Sequence, residues 1–300
     1  MERRPLLSVI ILTYNEEVNL PACLESLKGL DCEIFVVDSG SSDATVEIAQ
    51  AFAARVFEHP FESHARQWNW ALQNLPISTD WILGLDADQR LTSELRQELV
   101  ELFTVDDHRL DAVDGFYVKR RQIFRGRWIR HGGYYPKYLL KLFRRDRVRV
   151  DEGDLVDHHF WVNGVTARLK HDLIEENLKE ADLAFWIEKH NRYAALHAQE
   201  EWARRNGLLK WPVQPSLFGN PDQRVACLKQ CWYRLPLYIR PFIYFFWRYF
   251  LRLGFLDGKQ GFIFHFMQGF WYRLLVDVYI DELRRKEKFR GEVHGSGPGR

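Results

Sequence analysis

Two aspartates, Asp86 and Asp88, follow an apolar run at residues 81–85 and are separated by a single alanine. At a separation of about 5 Å, two carboxylates repel each other by roughly 3 kcal/mol at an effective dielectric constant near 20. Water, a basic neighbour or a divalent cation can offset this repulsion. Mg²⁺ and Mn²⁺ prefer carboxylate oxygens together with the phosphate oxygens of a substrate. The pair therefore predicts a bound diphosphate, whereas the alternative is a turn of solvated aspartates in which Asp88 or Thr92 caps the next helix.

The first hundred residues alternate between apolar runs of strand length and segments with helical periodicity. Strand-like runs occupy residues 7–14, 32–40, 55–59 and 81–86, and helix-like segments occupy residues 16–30, 43–54, 65–75 and 92–103. Alternation at this spacing predicts a parallel sheet whose strands are joined by right-handed crossovers. From residue 114 to 170 the pattern changes to strands and loops, and helical segments follow.

Polar residues follow three of these strands, at the point where each strand ends. The clusters are Thr13 to Glu16 after the first strand, Asp38 to Gly40 after the second, and Asp86 to Asp88 after the fourth. Because the ligands of such sheets bind outside the carboxyl ends of the strands, we expect the three clusters to form one binding edge.

Composition and charge exclude several classes of protein. The formal net charge of +1 argues against a nucleic-acid-binding protein, which normally has a clear excess of basic residues. The four cysteines follow no CxxC spacing, which favours buried thiols in a reducing compartment. A zinc site built from His158, His159 and His171 is disfavoured, because neither a cysteine nor an HExxH spacing accompanies these histidines.

Four segments within about the first 145 residues carry a family resemblance: SVIILTYNEE, FVVDSGSSDAT, HARQWNWAL and DWILGLDADQRL. In order and spacing they resemble the motifs of the family 2 glycosyltransferases, which are nucleotide-sugar transferases of the GT-A fold. The later segment WIRHGGYYPKYLLKLFRR resembles the branch that includes lipopolysaccharide-core glucosyltransferases and capsule or exopolysaccharide transferases. The resemblance implies an α/β fold of the GT-A type, a Rossmann-like mixed sheet with helices on both faces. We expect a C-terminal helical extension that associates with the membrane.

The resemblance implies a nucleotide site built from the residues after the first two strands. Thr13, Tyr14 and Glu16 would line this site, with Tyr14 near the base and Glu16 towards the ribose. Asp38 would form a hydrogen bond with the base or the ribose. Taken singly, Tyr14 is also compatible with a packed aromatic side chain, and Asp38 with a residue that shapes a turn.

The resemblance also assigns roles to the acidic pair and to one arginine. Asp86, counted among the catalytic residues, would lie near the ribose and sugar of the donor. Asp88 would ligate the Mg²⁺ or Mn²⁺ ion that bridges the diphosphate, and this ion would stabilise the negative charge that develops on the leaving group. Arg66 would pair with the nucleotide phosphates or brace the acidic cluster, whereas a surface ion pair is the simpler interpretation of a single arginine.

A carboxylate base is expected to take the proton of an acceptor hydroxyl that attacks opposite the leaving group and so inverts the anomeric configuration. Related enzymes place this base in a loop after the strand-rich region, often beside a histidine. In the corresponding segment, DEGDLVDHHF at residues 151–160, we favour Asp157. Glu152 and Asp154 are its competitors, and His158 is an orienting or substitute base. The family branch leads us to expect His followed by Glu, whereas here Asp precedes His, so the assignment stays open.

The C-terminal third is rich in aromatic residues. Residues 234–255 are numerous enough to cross a bilayer, but each arginine near its centre costs about 2.5–3.5 kcal/mol on insertion scales. Drawn as one helix, the segment carries a basic stripe within an arc of roughly 120°, formed by Arg234, Arg240, Arg248 and Arg252. We therefore predict a helix in the membrane interface, held by anionic lipids of the inner leaflet. The alternative is packing against the catalytic domain or in a dimer interface.

We predict four segments along the chain. They are a GT-A nucleotide-sugar transferase domain at 1–170, a helical segment completing the acceptor side at 171–210, an aromatic amphipathic region attached to the membrane interface at 211–288, and a disordered tail at 289–300.

The predicted function is that of an inverting, metal-dependent hexosyltransferase in cell-surface polysaccharide biosynthesis. It would move a sugar from a nucleotide diphosphate donor, with a UDP-sugar favoured, to a lipid-linked or lipopolysaccharide-core saccharide at the cytoplasmic face of the cell membrane. One alternative is a sugar nucleotidylyltransferase of similar fold, which needs a glycine-rich phosphate loop that TYNEE does not supply. The other is a catalytically inactive membrane scaffold. No nucleic-acid partner is expected, and a homo-oligomer stays open.

Overall fold

The computed structural model describes residues 5–153, 156, 159–211, 213–219 and 221–295. The chain divides into two compact units, which adjoin in the sequence at Asp182 and Leu183. Unit 1 precedes this point and contains the described strands, and unit 2 follows it and is helical.

Unit 1 alternates strands and helices before it becomes strand-rich. Its strands are β1 Leu7–Thr13, β2 Cys32–Asp38, β3 Arg55–Glu58, β4 Trp81–Asp86, β5 Gln89–Leu91, β6 Gly115–Phe124, β7 Arg127–Trp128, β8 Lys137–Arg144, β9 Val148–Val150, β10 Phe160–Val162 and β11 Thr166–Glu175. Its helices are α1 Leu20–Ser26, α2 Thr45–Ala51, α3 His64–Asn74, α4 Ser93–Thr104 and α5 Asp107–Asp111, followed by a 3₁₀ turn at Leu178–Ala181.

The main sheet of unit 1 is mixed. Strands β3, β2, β1 and β4 lie side by side in this order and are parallel, which confirms the prediction from the alternating pattern. Next to β4 lies β8, which is antiparallel to it, and β6, β11 and β5 follow in the sheet. Strand β6 is antiparallel to β8 and carries the short β7 as a hairpin partner, while β9 pairs with β10. The predicted mixed α/β architecture is therefore confirmed.

Apolar side chains fill both faces of the main sheet, because successive residues of a strand point to opposite faces. Val9 and Ile11 of β1 belong to a core that includes residues of α1 and α4. Ile10, between them, belongs to a second core with Trp68 of α3 and Phe160 of β10. Strands covered on both faces read as continuous apolar runs in the sequence, which is why the first, second and fourth strands were readily predicted.

Gly84 in β4 lets two aromatic rings approach the strand closely. A Cβ atom at this position would lie 2.9 Å from Cζ of Phe160 and 3.1 Å from Cη2 of Trp68. The two rings meet edge to face, with their centroids 4.7 Å apart. Because Phe160 ends the acidic segment 151–160, this contact fixes that end of the segment against β4.

Unit 2 is built from helices. They are α6 Leu183–Arg205, α7 Pro221–Arg234, α8 Arg240–Phe246, α9 Gly258–Phe264 and α10 Tyr272–Gly295. Wider π-helical turns at Trp247–Leu251 and His265–Trp271 extend α8 and join α9 to α10, and a 3₁₀ turn lies at Gly254–Asp257. Ala194 and Ala198 of α6 pack against Tyr272, Val276 and Ile280 of α10 to form the core of this unit.

Residues 239–271 form an antiparallel helical hairpin, which we call the aromatic hairpin. Ring contacts between the two arms run in opposite order along the chain. The centroids of Phe242 and Phe270 are 4.7 Å apart, and Tyr249 near the turn meets Phe262 at 5.6 Å. Among the described residues, no helix combines the length and the apolar character that crossing a bilayer requires.

The prediction that Arg240 belongs to one exposed basic stripe is wrong. Arg240 is 0% exposed, and it donates hydrogen bonds of 2.7 Å to Glu201 Oε1 and to Asp277 Oδ1. The prediction assumed one continuous helix, but α7 ends at Arg234 and α8 begins independently at Arg240. Between the two helices, Tyr238 adopts a left-handed φ of 66°. A guanidinium is buried only with such partners, since an unpaired buried charge is strongly unfavourable.

The segment limits predicted at residues 170 and 288 fall inside β11 and α10. Helix α10 continues to Gly295, past the start of the tail that we predicted as disordered. A charge pair on its surface, Asp281 with Arg285 at 2.8 Å, is of the i,i+4 kind that supports a helix beyond its apolar stretch.

Candidate active site

The ends of three parallel strands bring Thr13, Asp38 and Asp86 to one edge of the sheet. Thr13 of β1 is in register with Asp38 of β2, and its neighbour Leu12 is in register with Asp86 of β4. The Thr13 hydroxyl donates a hydrogen bond of 2.8 Å to Asp38 Oδ1. The polar residues predicted to meet at one edge of the sheet therefore do lie there, and the binding of a ligand to them stays a prediction.

Asp38 shapes the loop that follows β2. Its side chain is 2% exposed and accepts hydrogen bonds from Thr13, from the backbone amides of Gly40 and Ser41 at 3.0 and 2.7 Å, and from the Ser41 hydroxyl at 2.6 Å. A carboxylate has about four acceptor sites, and the protein itself supplies four donors. The contact of Asp38 with a base or ribose stays a prediction, while its part in fixing this loop is a structural fact.

The loop after β1 interlocks with the loop after β2. Asn15 adopts a left-handed φ of 52°, which asparagine tolerates better than most residues. Its backbone amide donates to Ser41 Oγ at 2.8 Å, and its side-chain oxygen accepts from the amide of Ser42 at 2.8 Å. This arrangement leaves the side chain of Tyr14 58% exposed. An exposed, rigidly mounted aromatic ring suits stacking on a nucleotide base.

Glu16 is held by residues that our sequence analysis did not single out. Its carboxylate accepts hydrogen bonds from Lys179 Nζ at 2.6 Å and from Asn19 Nδ2 at 2.7 Å. Lys179 also donates to the carbonyl oxygen of Asn15 at 3.0 Å. Lys179 lies in the 3₁₀ turn after β11, so no local sequence pattern could have linked it to the loop after β1.

A buried lysine stands beside the acidic pair. Lys141 Nζ lies 3.0 Å from Asp86 Oδ2, and the Lys141 side chain is only 5% exposed. Lys141 comes from β8, which pairs directly with β4, the strand that ends at Asp86. Of the three means of offsetting the carboxylate repulsion, the structure therefore supplies a basic neighbour for Asp86. The sequence contains one indication of this pairing, a single lysine within the apolar run YLLKLF. Lysines are almost never fully buried unless they are paired.

Hydrogen bonds also hold the backbone of the acidic turn. Gln89 accepts from the amide of Asp86 at 3.2 Å and donates to Glu175 at 2.8 Å, and Glu175 in turn pairs with Arg120 of β6 at 2.9 Å. The carbonyl oxygen of Asp88 accepts from the amide of Glu176 at 2.9 Å. The turn is thus tied to the end of β11 and to β6.

Asp88 borders a small cavity whose other walls include Asn19, Cys23 and Glu176. The pKa of the Cys23 thiol is raised by its burial and by the negative charges of Asp88 and Asp86. Among the described residues, no group of three or more histidine, cysteine, aspartate or glutamate side chains could hold a metal ion. A divalent ion at this edge would therefore depend on Asp88, with Asp86 alongside, and on substrate phosphates. Such a ligand set fits Mg²⁺, which commonly binds through one or two carboxylates plus phosphates.

Arg66 connects α3 to the acidic segment 151–160. The exposed Arg66 forms ion pairs with Glu62 and, at 3.5 Å, with Glu152. Asn69, one turn further along α3, donates to Glu152 at 3.2 Å. Of the candidate bases, Glu152 is thus anchored on α3, whereas Asp157, Asp154 and His158 lie outside the described residues. Arg66 therefore forms the surface ion pairs that were the simpler interpretation of this arginine, and its contact with nucleotide phosphates stays a prediction.

Two histidines of the zinc alternative lie among the described residues. His171 Nδ1 lies 2.9 Å from Glu98 Oε2, and Glu98 also accepts from the backbone amides of Lys170 and His171. The ring of His159 lies 6.0 Å from that of Trp161. His171 is thus engaged with α4.

Gln67 of α3 holds the loop after β2 through hydrogen bonds. Its amide nitrogen donates to Ser39 Oγ and to the carbonyl oxygen of His59, both at 3.1 Å, and its oxygen lies 2.7 Å from His59 Nδ1. The side chain is 1% exposed. Gln67 lies within the motif HARQWNWAL, but the sequence alone did not identify it as the residue that holds this loop.

Comparison with known proteins gives a family match and several similar chains. Residues 8–164 match the sequence profile of "Glycosyl transferase family 2". The lipopolysaccharide core biosynthesis glycosyltransferase LpsC of Rhizobium meliloti (strain 1021) is 29% identical over 273 residues, which cover 87% of this chain and 89% of LpsC. The mannosyltransferase PcManGT from Pyrobaculum calidifontis, solved with GDP-Man and Mn²⁺, is 18% identical with a TM-score of 0.47, covering 93% of this chain and 88% of that one. S. aureus TarS 1-349, solved with UDP-GlcNAc, is 15% identical with a TM-score of 0.41, covering 93% and 92%.

Replacing Lys141 tests whether its ammonium holds Asp86 in place. We expect Lys141→Met to lower the turnover number at least about tenfold, because small displacements of a group that positions substrate are costly. Sugar transfer is measured alongside the melting temperature. Lys170→Met, which removes an exposed lysine from β11, is the control.

A double variant separates this role from a loss of folding. If Lys141 acts through Asp86, adding Lys141→Met to Asp86→Asn will lower turnover no further, since coupled residues are not additive. Turnover of Lys141→Met equal to that of the Lys170→Met control would contradict the assigned role.

Proposed function

Because the chain belongs to glycosyl transferase family 2, and so is a glycosyltransferase, we propose that it transfers a sugar from a nucleotide diphosphate donor with inversion. Membership in this family decides against the nucleotidylyltransferase and scaffold alternatives. The donor we favour is a UDP-sugar. The observation that carries the proposal is the alignment of Thr13, Asp38 and the pair Asp86 and Asp88 at the carboxyl ends of adjacent parallel strands.

The proposed acceptor is a lipid-linked or lipopolysaccharide-core saccharide in cell-surface polysaccharide biosynthesis. The similarity to LpsC, which extends over most of both chains, supports this class of acceptor. The matched region includes the C-terminal unit as well as the sheet, since it covers 87% of this chain.

We propose that each polar group of the edge binds one part of the donor. Tyr14 stacks on the base, Asp86 accepts hydrogen bonds from the ribose and sugar, and Asp88 holds Mg²⁺ or Mn²⁺ beside the diphosphate, in the manner of a GT-A enzyme. When bound, the ion stabilises the negative charge that develops on the departing diphosphate. Lys141 holds the Asp86 carboxylate in place, because its ammonium lies 3.0 Å from that group.

The general base in this proposal is Asp157, which takes the proton from the attacking acceptor hydroxyl. Glu152 competes less well for this role, because Arg66 and Asn69 already engage its carboxylate.

Asp88→Asn tests the metal-binding role. We expect the substitution to abolish sugar transfer and to remove the stabilisation by Mn²⁺ together with UDP, because an amide oxygen lacks the charge that holds the ion. Transfer and the melting temperature with and without Mn²⁺ and UDP are the measurements. Asp80→Asn, at an exposed aspartate before the start of β4, is the matched control. Transfer by Asp88→Asn at the rate of the control would refute the role.

Asp157→Asn and Glu152→Gln, compared side by side, test the base. We expect Asp157→Asn to lower the turnover number by about a hundredfold or more while the KM for the donor changes little, as for a group that moves a proton only in the transition state. Glu152→Gln is expected to have a much smaller effect on turnover. The opposite ranking would assign the base to Glu152.

We further propose that the aromatic hairpin attaches the enzyme peripherally to the cytoplasmic face of the cell membrane. Besides Ile239, which is 56% exposed, eleven other large apolar side chains of the hairpin are between 40% and 60% exposed. They are Phe242, Ile243, Phe246, Trp247, Phe250, Leu251, Leu253, Phe255, Leu256, Phe262 and Phe266. Soluble monomers rarely leave such a contiguous apolar surface in water.

The charges of the aromatic hairpin support a lipid partner. Its exposed charged residues are Arg252 and Lys259, both basic, whereas Asp257 is buried. Aromatic and aliphatic side chains flanked by basic ones are typical of segments that lie in the interface of anionic membranes. Arg248 lies 4.7 Å from the centroid of Tyr244, so the basic groups that reach lipid are fewer than the sequence alone predicted.

A triple substitution of exposed aromatic residues tests the attachment. We expect Phe246→Ser, Trp247→Ser and Phe250→Ser together to lower the co-sedimentation with phosphatidylglycerol-containing vesicles at least about tenfold, since each large side chain contributes roughly 1.5–3 kcal/mol when fully buried. The control carries serine at Val105, Val165 and Leu208, which are also exposed. Unchanged co-sedimentation of the aromatic variant would refute the attachment, and a smaller oligomer in the same variant would assign the surface to a second copy of the chain.

A further inference from the structure

The segment 119–149 is far more basic than the chain as a whole. It contains twelve lysines and arginines and a single acidic residue, Asp146, although the net charge of the protein is +1. Several of these basic groups have carboxylate partners, among them Arg120 with Glu175 at 2.9 Å and Arg121 with Asp172 at 2.6 Å. The excess of charge must therefore be located in the groups that lack such partners.

Three arginines on and just after the β6–β7 hairpin contribute to this excess. Arg125, Arg127 and Arg130 are all exposed. Within the described part of the chain, the ion pairs of this segment involve its other basic residues, such as Lys119, Arg121 and Arg144, and none of these three. Exposed guanidinium groups on one short hairpin create a local positive potential, which attracts anions.

The hairpin fixes the backbone at Arg127 and the side chain of Arg130. Arg127 is in register with Phe124, and Trp128 with Ile123, across the two strands. The guanidinium carbon of Arg130 lies 4.8 Å from the centroid of the Trp128 ring, and that of Arg121 lies 4.9 Å from it. Stacking on an aromatic face leaves the N–H groups along the edge of a guanidinium available for a ligand.

The hairpin leaves the sheet at the same edge as the candidate active site. Strands β4 and β6 are both antiparallel to β8, so they run in the same direction, and their carboxyl ends lie on the same side of the sheet. A chain of contacts joins them, from the Asp86 amide through Gln89 and Glu175 to Arg120 of β6. The hairpin and the candidate active site therefore lie at the same edge of the sheet.

We propose that Arg125, Arg127 and Arg130 form a subsite for a phosphate or carboxylate group carried by the saccharide acceptor. This inference rests on the proposed function, because it assigns the chemistry of the acceptor in that reaction. Arginine forks bind both kinds of oxyanion through paired, charge-assisted hydrogen bonds. The nearby Trp128 and Tyr135, whose rings meet at 5.0 Å, give the subsite a rigid base, since the Tyr135 hydroxyl also donates to Asp172 at 3.0 Å.

The experiment compares a charged and a neutral sugar as probes. Glucose 6-phosphate and glucose are titrated into the full chain labelled with ¹⁵N at tryptophan, with saturating UDP and Mg²⁺ present to occupy the donor site. The indole signal of Trp128, identified with Trp128→Phe, reports binding. We expect the dissociation constant of glucose 6-phosphate to be about tenfold lower than that of glucose, and the difference to shrink as NaCl is raised.

Charge-matched variants decide the assignment. The combination Arg125→Gln, Arg127→Gln and Arg130→Gln should bind both sugars equally, while Lys28→Gln, Arg55→Gln and Lys170→Gln, which also remove three exposed charges, should keep the preference. Equal binding of the two sugars by the unmodified protein, or an unchanged preference in the arginine variant, would overturn the proposal.

Two further measurements distinguish this inference from lipid binding by the same arginines and from the proposed donor site. If the arginine variant loses co-sedimentation with phosphatidylglycerol vesicles while its sugar preference is unchanged, the arginines bind lipid headgroups and the acceptor subsite is refuted. Thermal stabilisation by UDP with Mg²⁺ is measured on the same samples. Its absence would refute the proposed donor site, whereas the loss of the phosphosugar preference alone would refute only the subsite.

Discussion

The contact between Lys141 and Asp86 is the constraint around which the candidate active site is built. A basic neighbour is one way to offset the repulsion of two carboxylates at one strand end, and Lys141 provides it from inside the sheet. That charge can arrive there only because β8 inserts beside β4 in the opposite direction. A purely parallel sheet would not place this lysine beside Asp86, so the mixed sheet and the candidate site depend on each other. Asp88 is held in the turn separately, through its backbone carbonyl.

The loops at this edge are rigid because they satisfy each other's hydrogen bonds. Buried polar groups need partners, and here Asp38 takes four donors while Asn15 bridges to Ser41 and Ser42. The protein does not have to rearrange these groups when a ligand arrives, so little ordering entropy is lost on binding. Tyr14 is the exception, since its ring stays exposed where a base could cover it.

Features that depend on local pattern could be predicted from the sequence, and features that depend on distant partners could not. The four parallel strands and the polar residues at their ends follow from apolar periodicity. Lys141 contacts a residue 55 positions away in the chain, and Lys179 contacts one that is 163 positions away. Neither pairing therefore produces a local sequence pattern. The exposed position predicted for Arg240 was wrong for a different reason. The prediction assumed an unbroken helix, and Tyr238 interrupts it.

The same arginine explains why unit 2 presents aromatic side chains to the outside. Arg240 starts α8 and is clamped between Glu201 of α6 and Asp277 of α10. Breaking such a buried pair typically costs about 3–5 kcal/mol, so α8 cannot rotate to hide its apolar side without losing both contacts. The clamp therefore fixes which side of α8 faces inward, and Phe242, Phe246 and the residues that follow are left exposed. This fixed orientation supports the proposed use of the aromatic hairpin as a membrane-attachment surface.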